Sequence, residues 1–308
     1  MKVYRNISEI DSGKKSVVTV GTFDGFHLGH QSILEKIRNI ARQKPGLQTT
    51  IITFDPHPKK VVGNKAGADI KILTTTKEKL QIFAEAQVDR TVVIHFTPAF
   101  ASLSSAEFIE DILVRKLSVN EMVIGYDHHF GRNREGGIEE LKLMGERWQF
   151  TVHQVPQLEK DGQLISSTLI RKLIQEGNVE KAAHFMGRPY TIHGTVIKGD
   201  GRGRLMGFPT ANIEVDHEDK LVPARGVYAV DVQVEDKIYK AMMNIGIRPT
   251  FDLEYLTLEV HLFKFDDFLY EKELKISFKK FIRQEKKFSG LEELKSQLEK
   301  DKMICENI

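Results

Sequence analysis

Two histidines three residues apart carry the clearest chemistry in the chain. His27 and His30 lie in GTFDGFHLGH (Gly21–His30), where Gly21, Gly25 and Gly29 permit tight turns and close backbone approach. A helix follows at once, with Ile33, Ile37, Ile40 and Ala41 on one face. His30 therefore falls at a helix start and His27 just before it. A helix start presents unpaired N–H groups and the positive end of the dipole, which favour an anion. Two imidazoles there can donate to phosphate oxygens. On spacing alone, a glycine loop with two incidental histidines fits equally well. A metal site needs three or four converging ligands, and no third is indicated.

Three more segments carry polar groups beyond expected strands. ISSTLIR (Ile165–Arg171) offers Ser166, Ser167 and Thr168 as helix caps, followed by Arg171 and Lys172 in an expected first turn, where cations oppose the dipole. A nucleotide polyphosphate would supply the missing anion, although taken alone an ordinary capped surface helix fits better. TFDPHP (Thr53–Pro58) has two prolines that hold a rigid turn. GYDHHFG (Gly125–Gly131) contains His128 and His129, which read as a solvated pair. Further on, GDGRGRLMG (Gly199–Gly207) fails both G-x-G-x-x-G and G-x-x-x-x-G-K-[ST]. It leads to Thr210 and Asn212, two oxygen donors able to share magnesium with ATP. Glu259 lies between Leu258 and Val260 and so points away from its apolar neighbours; a surface ion pair and a general base both fit.

The elements that must position these groups fall into two parts. Strands are expected at Ser16–Gly21, Thr49–Phe54, Thr91–Phe96, Glu121–Gly125 and Phe150–Val155, with helices at Lys77–Gln87, Ala106–Leu117 and Ile138–Trp148. This alternation predicts an α/β fold, a doubly wound parallel sheet with right-handed crossovers and ligands at the carboxyl ends of its strands. Near Gly187-Arg188-Pro189 the pattern changes to short strands at Tyr190–Ile197, Ala211–Val215, Val227–Val234, Ile238–Ile245, Leu256–Phe263 and Leu274–Ile282. That predicts a small antiparallel β-barrel. A last helix is expected from Ser289, with Glu292 completing a capping box and Leu291, Leu294 and Leu298 forming an apolar stripe. The expected domains are 1–186 and 187–308.

Composition narrows the function classes. The 308 residues are 41% hydrophobic and 29% charged, enough for two real cores. From Arg188 on there are 20 Lys/Arg against 21 Asp/Glu, so no basic domain favours nucleic acid. One cysteine, Cys305, excludes an internal disulfide and a cysteine-based zinc cluster. The opening MKVYRNISEIDSGKK has no apolar core of a secretory signal, and no run of about 18 apolar residues would span a membrane. A cytoplasmic protein with no membrane and no nucleic-acid partner is expected; homo-oligomerisation is left open.

GTFDGFHLGH, TFDPHP, GYDHHFG and ISSTLIR, in that order, resemble the FMN adenylyltransferase half of the bacterial bifunctional riboflavin kinase/FAD synthetase family, and H-x-G-H is the signature of its nucleotidyltransferase superfamily. GRGRLMGFPTAN resembles the riboflavin kinase motif G-x-x-x-G-x-P-T-A-N. GVYAV (Gly226–Val230), NIGIRPTF (Asn244–Phe251), LEVHLF (Leu258–Phe263) and Phe281–Asp301 extend the match to nearly the whole chain. The resemblance implies riboflavin, FMN, FAD and ATP as substrates and products, with Mg²⁺ as cofactor. It implies that Gly21, Phe23, Asp24, His27, His30, Ser167, Thr168 and Arg171 meet ATP in the first half, His27, His30 and Arg171 catalytically. Phe54, Pro56, His57, Pro58 and Asp127 would line the flavin side. In the second half it implies Gly203, Gly207, Thr210 and Asn212 for ATP, Thr210 and Asn212 for the metal, and Glu259 as catalytic base. Arg225 and Glu271 depart from the family, which commonly has Gly where Glu271 stands. Two rivals remain at this point: an adenylyltransferase for another phosphate ester, and a flavin- or nucleotide-sensing regulator. An OB-like nucleic-acid barrel would want an exposed aromatic and basic face. Asn244–Phe251 is a candidate loop for closing on substrate.

Overall fold

A computed structural model describes the chain apart from residues 12, 63–68, 127–129, 133–135, 200–202, 204–206 and 250–253, and the side chains of 248, 249 and 254. Asp127, His128 and His129 thus lie outside the described residues. The chain forms two compact units, Met1–Ser167 and Thr168–Ile308.

The first unit is a six-stranded parallel sheet. Its strands are β1 (Lys2–Tyr4), β2 (Ser16–Val20), β3 (Gln48–Asp55), β4 (Arg90–His95), β5 (Val119–Gly125) and β6 (Thr151–Val155), in the order β1-β4-β3-β2-β5-β6. Runs such as SVVTV are buried along their whole length, as a sheet covered on both faces requires. The order reverses between β2 and β5, so the crevice for a ligand opens where β2 ends. Helix α1 (Leu28–Gln43) leaves β2 and buries Leu34, Ile37 and Ile40, with Ile33 and Ala41 partly covered against Val17 and Val123. Helices α2 (Pro58–Val62), α3 (Thr76–Glu85) and α4 (Pro98–Ala101) follow in turn. Next, α5 (Ser105–Glu107) runs into a π-helical segment, Phe108–Lys116, where a plain α-helix was expected. Apolar spacing does not distinguish the two hydrogen-bonding patterns, because both bury Phe108, Ile109, Ile112 and Leu113. Helix α6 (Ile138–Trp148) and the short hairpin β7 (Glu159–Lys160) and β8 (Gln163–Leu164) complete the unit.

Helix α7 (Ser167–Gln175) begins on the last residue of the first unit and otherwise belongs to the second, with α8 (Val179–Met186). It corrects one expectation. Because the helix ends at Gln175, Lys172 lies in its last turn, where a cation is favourable, and stands 3.9 Å from Glu176. Six antiparallel strands then close a barrel. These are β9 (Tyr190–Ile197), β10 (Ala211–Val215), β11 (Gly226–Val234), β12 (Lys237–Pro249), β13 (Glu254–Leu262) and β14 (Glu273–Arg283), in the order β10-β13-β12-β11-β14-β9. Residues 244–249 continue β12 and pair with 254–259, so that part of the candidate closing loop is strand. The final helix, α9 (Leu291–Glu306), is capped by Gly290 with no side-chain bond. Ser289 instead meets Glu293, its backbone N–H and its hydroxyl each 2.9 Å from one carboxylate oxygen, so the expected box with Glu292 does not form. Leu291 is exposed, whereas Leu294 and Leu298 turn toward the barrel.

Candidate functional sites

The loop after β2 is strained and heavily braced. Phe23, Gly25 and Phe26 all have positive φ, at 49°, 83° and 39°, a conformation that costs ordinary residues about 1–3 kcal/mol each. Phe23 and Phe26 are buried edge-on against Phe83 of α3, at 5.6 and 5.7 Å. Asp24, 2% exposed, accepts the backbone N–H of Leu73 and Thr74 at 2.8 and 2.9 Å. The Gly25 N–H donates to Thr74 Oγ1 at 2.7 Å, and the Ser167 hydroxyl donates to the Asp24 carbonyl at 2.8 Å. The side chains of Phe23 and Asp24 therefore face inward and shape the loop rather than project from it.

That loop delivers the two histidines to the start of α1. His27 is the N-cap, with its carbonyl accepting from the N–H of His30 and Gln31. The two rings stack at 3.8 Å. Gly29 makes room for this, since a Cβ there would lie 3.2 Å from the His27 ring. His30 Nδ1 is buried with no hydrogen-bond partner among the described atoms, an orphaned group that a polar ligand could satisfy. Burial, followed by the neighbouring His27 and Lys79, holds His30 well below the ordinary histidine range. His30 is thus neutral near pH 7.

The neighbouring loop starts at the end of β3. Thr53 is buried and its hydroxyl donates to the Thr22 carbonyl at 3.3 Å. Phe54 is half-buried and packs edge-on to Phe96 at 5.3 Å. Pro56, His57 and Pro58 are half-buried at the start of α2, where His57 Nδ1 accepts the N–H of Lys59 at 3.2 Å. Ser167 belongs with these loops in the first unit. Thr168, exposed, and Arg171, half-buried, belong to the second.

In the second unit a cavity of about 320 Å³ gathers Gly203, Thr210, Asn212 and Glu259. Strand register explains this. On β13, Glu259 pairs with Asn212 of β10 on one side and Asn244 of β12 on the other, while Leu258 and Val260 are buried. The Thr210 hydroxyl lies 3.4 Å from Glu259 Oε2. Gly207, exposed at φ 82°, does not line the cavity. The remaining wall is apolar, with Phe208, Met242, Phe288, Leu294 and Leu298 among its residues. Thr210 and Asn212 are hard oxygen donors of the kind magnesium takes when phosphates and water complete its shell. His261 and Arg283 also line the cavity, and sequence reasoning missed them. His261 Nδ1 lies 2.7 Å from the carbonyl of Pro209, and burial lowers its pKa. Arg283 makes a paired contact with Asp301 of α9, Nη2 to Oδ2 at 2.7 Å. Both fall inside matched segments, so the motifs flagged the neighbourhood but not the contacts.

Comparison with known proteins follows this division. A family model described as FAD synthetase matches residues 9–169, and one described as riboflavin kinase matches 186–308. A bifunctional riboflavin kinase/FMN adenylyltransferase of Listeria monocytogenes is 43% identical over 92% of this chain and 90% of its own. The Bacillus subtilis protein of that name is 39% identical over 94% and 90%. A crystal structure described as a macrolide-efflux protein from Streptococcus pneumoniae superposes with a TM-score of 0.91 and 31% identity, covering 99% of this chain and 98% of that one. The word efflux stays with that structure; among the described residues here, no helix is long and apolar enough to cross a membrane.

Proposed function

The chain belongs to the bifunctional riboflavin kinase/FMN adenylyltransferase family, and from that premise we propose how its residues divide the two reactions. ATP phosphorylates riboflavin to FMN, and a second ATP adenylylates FMN to FAD with release of pyrophosphate. Residues 187–308 carry the first reaction and 1–186 the second.

In the barrel, the 5′-hydroxyl of riboflavin attacks the γ-phosphate of ATP, and Glu259 accepts its proton. Thr210 and Asn212 would hold Mg²⁺, which neutralises charge on the triphosphate when bound. The Gly203 backbone faces the phosphates, and the apolar wall from Phe208 to Leu298 shields the flavin ring. One observation carries this reading: Glu259 and Thr210 approach within 3.4 Å inside a cavity that Asn212 also lines.

In the sheet unit, a phosphate oxygen of FMN attacks the α-phosphate of ATP. A phosphate monoester with a second pKa of about 6 is already mostly dianionic and needs no strong base. What remains is stabilisation of the charge that builds on the α-phosphate. His27, His30, Ser167 and the Gly21 backbone serve this, His30 as a neutral donor; Thr168 and Arg171 are assigned to the same reaction by resemblance. Phe54, Pro56, His57, Pro58 and Asp127 take the flavin. We place both reactions in the cytoplasm, since each consumes ATP.

Incubation with riboflavin, ATP and Mg²⁺, followed by chromatography of FMN and FAD, tests the reading. Glu259→Gln is expected to lower FMN formation by about 10²–10⁴-fold while leaving FAD formation from supplied FMN intact. His27→Ala with His30→Ala gives the reverse. Equal loss of both products in either variant refutes separate centres.

A further inference from the structure

Lys79 is a buried cation that no motif contains. It lies on α3, is 5% exposed, and directs its ammonium at three neutral oxygens. Nζ is 3.1 Å from Thr53 Oγ1, 3.2 Å from the Phe54 carbonyl and 3.3 Å from the Thr22 carbonyl. Thr22 belongs to the loop that carries His27 and His30, while Thr53 and Phe54 are near the end of β3, just before the turn that carries Pro56 and His57. One ammonium therefore ties both ligand loops together at the carboxyl ends of β2 and β3. The helix that presents it is itself set from the same loop. Asp24 fixes Leu73 and Thr74, and Thr75 caps α3 through a box with Glu78.

An apolar chain of similar length would fill the space but take this donor from the Thr22 and Phe54 carbonyls, and with it the tie between the two loops. The facing charges are Asp24 from the β2 loop, Asp55 from the end of β3, and the histidine pair of α1, whose His30 responds to the Lys79 charge. Both carboxylates favour the charged form of the ammonium against the burial that opposes it.

We propose that Lys79 is the positioning residue of adenylyl transfer: its charged ammonium holds the histidine loop and the flavin loop in register and keeps a fixed positive charge beneath the reacting phosphates. This rests on the reading of these loops as the adenylyltransferase centre. Lys79 acts through the loops and is not assigned contact with substrate.

The test compares wild type, Lys79→Met and Lys79→Arg, with FMN plus ATP for FAD formation and riboflavin plus ATP for FMN formation. Lys79→Met is expected to lose at least tenfold in kcat/KM for FAD while FMN formation stays within twofold. Burial lowers the Lys79 pKa below the ordinary lysine value. Wild-type FAD formation should therefore fall at alkaline pH, and Lys79→Arg, which stays charged, should move that fall upward. If Lys79→Met also loses FMN formation, its fold has failed, and the pH profile of Lys79→Arg against wild type decides. Unchanged FAD formation in a folded Lys79→Met, or an alkaline limb that does not move in Lys79→Arg, overturns the proposal. Failure of wild type to make FAD at all would instead overturn the reading of the centre.

Discussion

Removing the Asp301 carboxylate should undock the C-terminal helix from the barrel cavity. Asp301 is 0% exposed and sits on α9. It accepts Arg283 Nε at 3.0 and 3.1 Å, Arg283 Nη2 at 2.7 Å, and Gln297 Nε2 at 2.8 Å. Asp301→Ala leaves the guanidinium without its counter-charge, and stranding one partner of a buried pair costs about 3–5 kcal/mol. Arg283 is one-fifth exposed, so water recovers part of the loss and the lower end, about 3 kcal/mol, applies. For a unit of this size that corresponds to a melting temperature lower by roughly 10 °C. Leu298 and Leu294, one and two turns before Asp301, line the cavity. FMN formation should therefore fall with the loosened helix, while FAD formation from supplied FMN persists. The double replacement Arg283→Met with Asp301→Leu should recover most of the lost stability, because removing both charges leaves no charge stranded and only the Gln297 amide without its partner. Calorimetry on the three chains reads this directly. A single variant melting within about 3 °C of wild type, or a double variant no more stable than the single, refutes the stranded-charge argument.

Three further outcomes follow from backbone and burial. Gly25→Ala places a side chain at φ 83° with Cβ 2.9 Å from Leu73 Cδ1; about 1–2 kcal/mol of destabilisation and selective loss of FAD formation should appear in denaturant titration and product assay. Glu271→Gly relieves a φ of 64° by about 1–2 kcal/mol and gives back about 0.5–1 in chain entropy, so a gain of roughly 0.5–1 kcal/mol should appear on unfolding. Burial raises the Cys305 thiol from 9.0 to about 12. The folded state resists ionisation that the unfolded chain accepts, so this contribution is complete below pH 9 and is lost as pH rises toward 12. Cys305→Ala should flatten the alkaline decline of the melting temperature; an unchanged slope refutes it.

What the sequence disclosed, and what it hid, follows from the range of the forces involved. Runs such as SVVTV and TVVIH are recognisable because full burial in a parallel sheet demands uninterrupted β-branched residues. Lys2–Tyr4 and the hairpin of β7 and β8 are too short for any period to register. Val179–Met186 carries its apolar face over little more than two turns and went unread. Ser289 looked like a cap because the spacing to Glu292 was right, yet Gly290 is extended and starts the helix one residue later. In the barrel, Glu259, Thr210 and Asn212 stood inside recognisable segments. Asn244 reaches Glu259 only through the pairing of β12 with β13, and register between distant strands is not written in either strand alone. Lys79 was hidden for the opposite reason. In TKEKLQIF it resembles any lysine on a surface helix, and only the loops folded over it make it buried.

The β2 loop shows how a short motif divides between anchors and donors. Resemblance assigns Gly21, Phe23, Asp24, His27 and His30 to ATP as one group. Two non-glycine residues at positive φ within four positions, Phe23 and Phe26, would not persist unless surrounding contacts over-determined them. Phe23 and Phe26 against Phe83, Asp24 against Leu73 and Thr74, and Gly25 against Thr74 supply those contacts. Their combined result is to set His27 as the cap of α1 and to stack His30 on it with an open ring nitrogen. The phenylalanines and the aspartate thus hold a strained path, and the histidines sit at its end. Replacing an anchor should release the strain and gain or lose stability while misplacing both rings. Replacing a histidine should remove a donor and leave the path intact. The two kinds of residue are therefore separable by experiment although the motif presents them as one string.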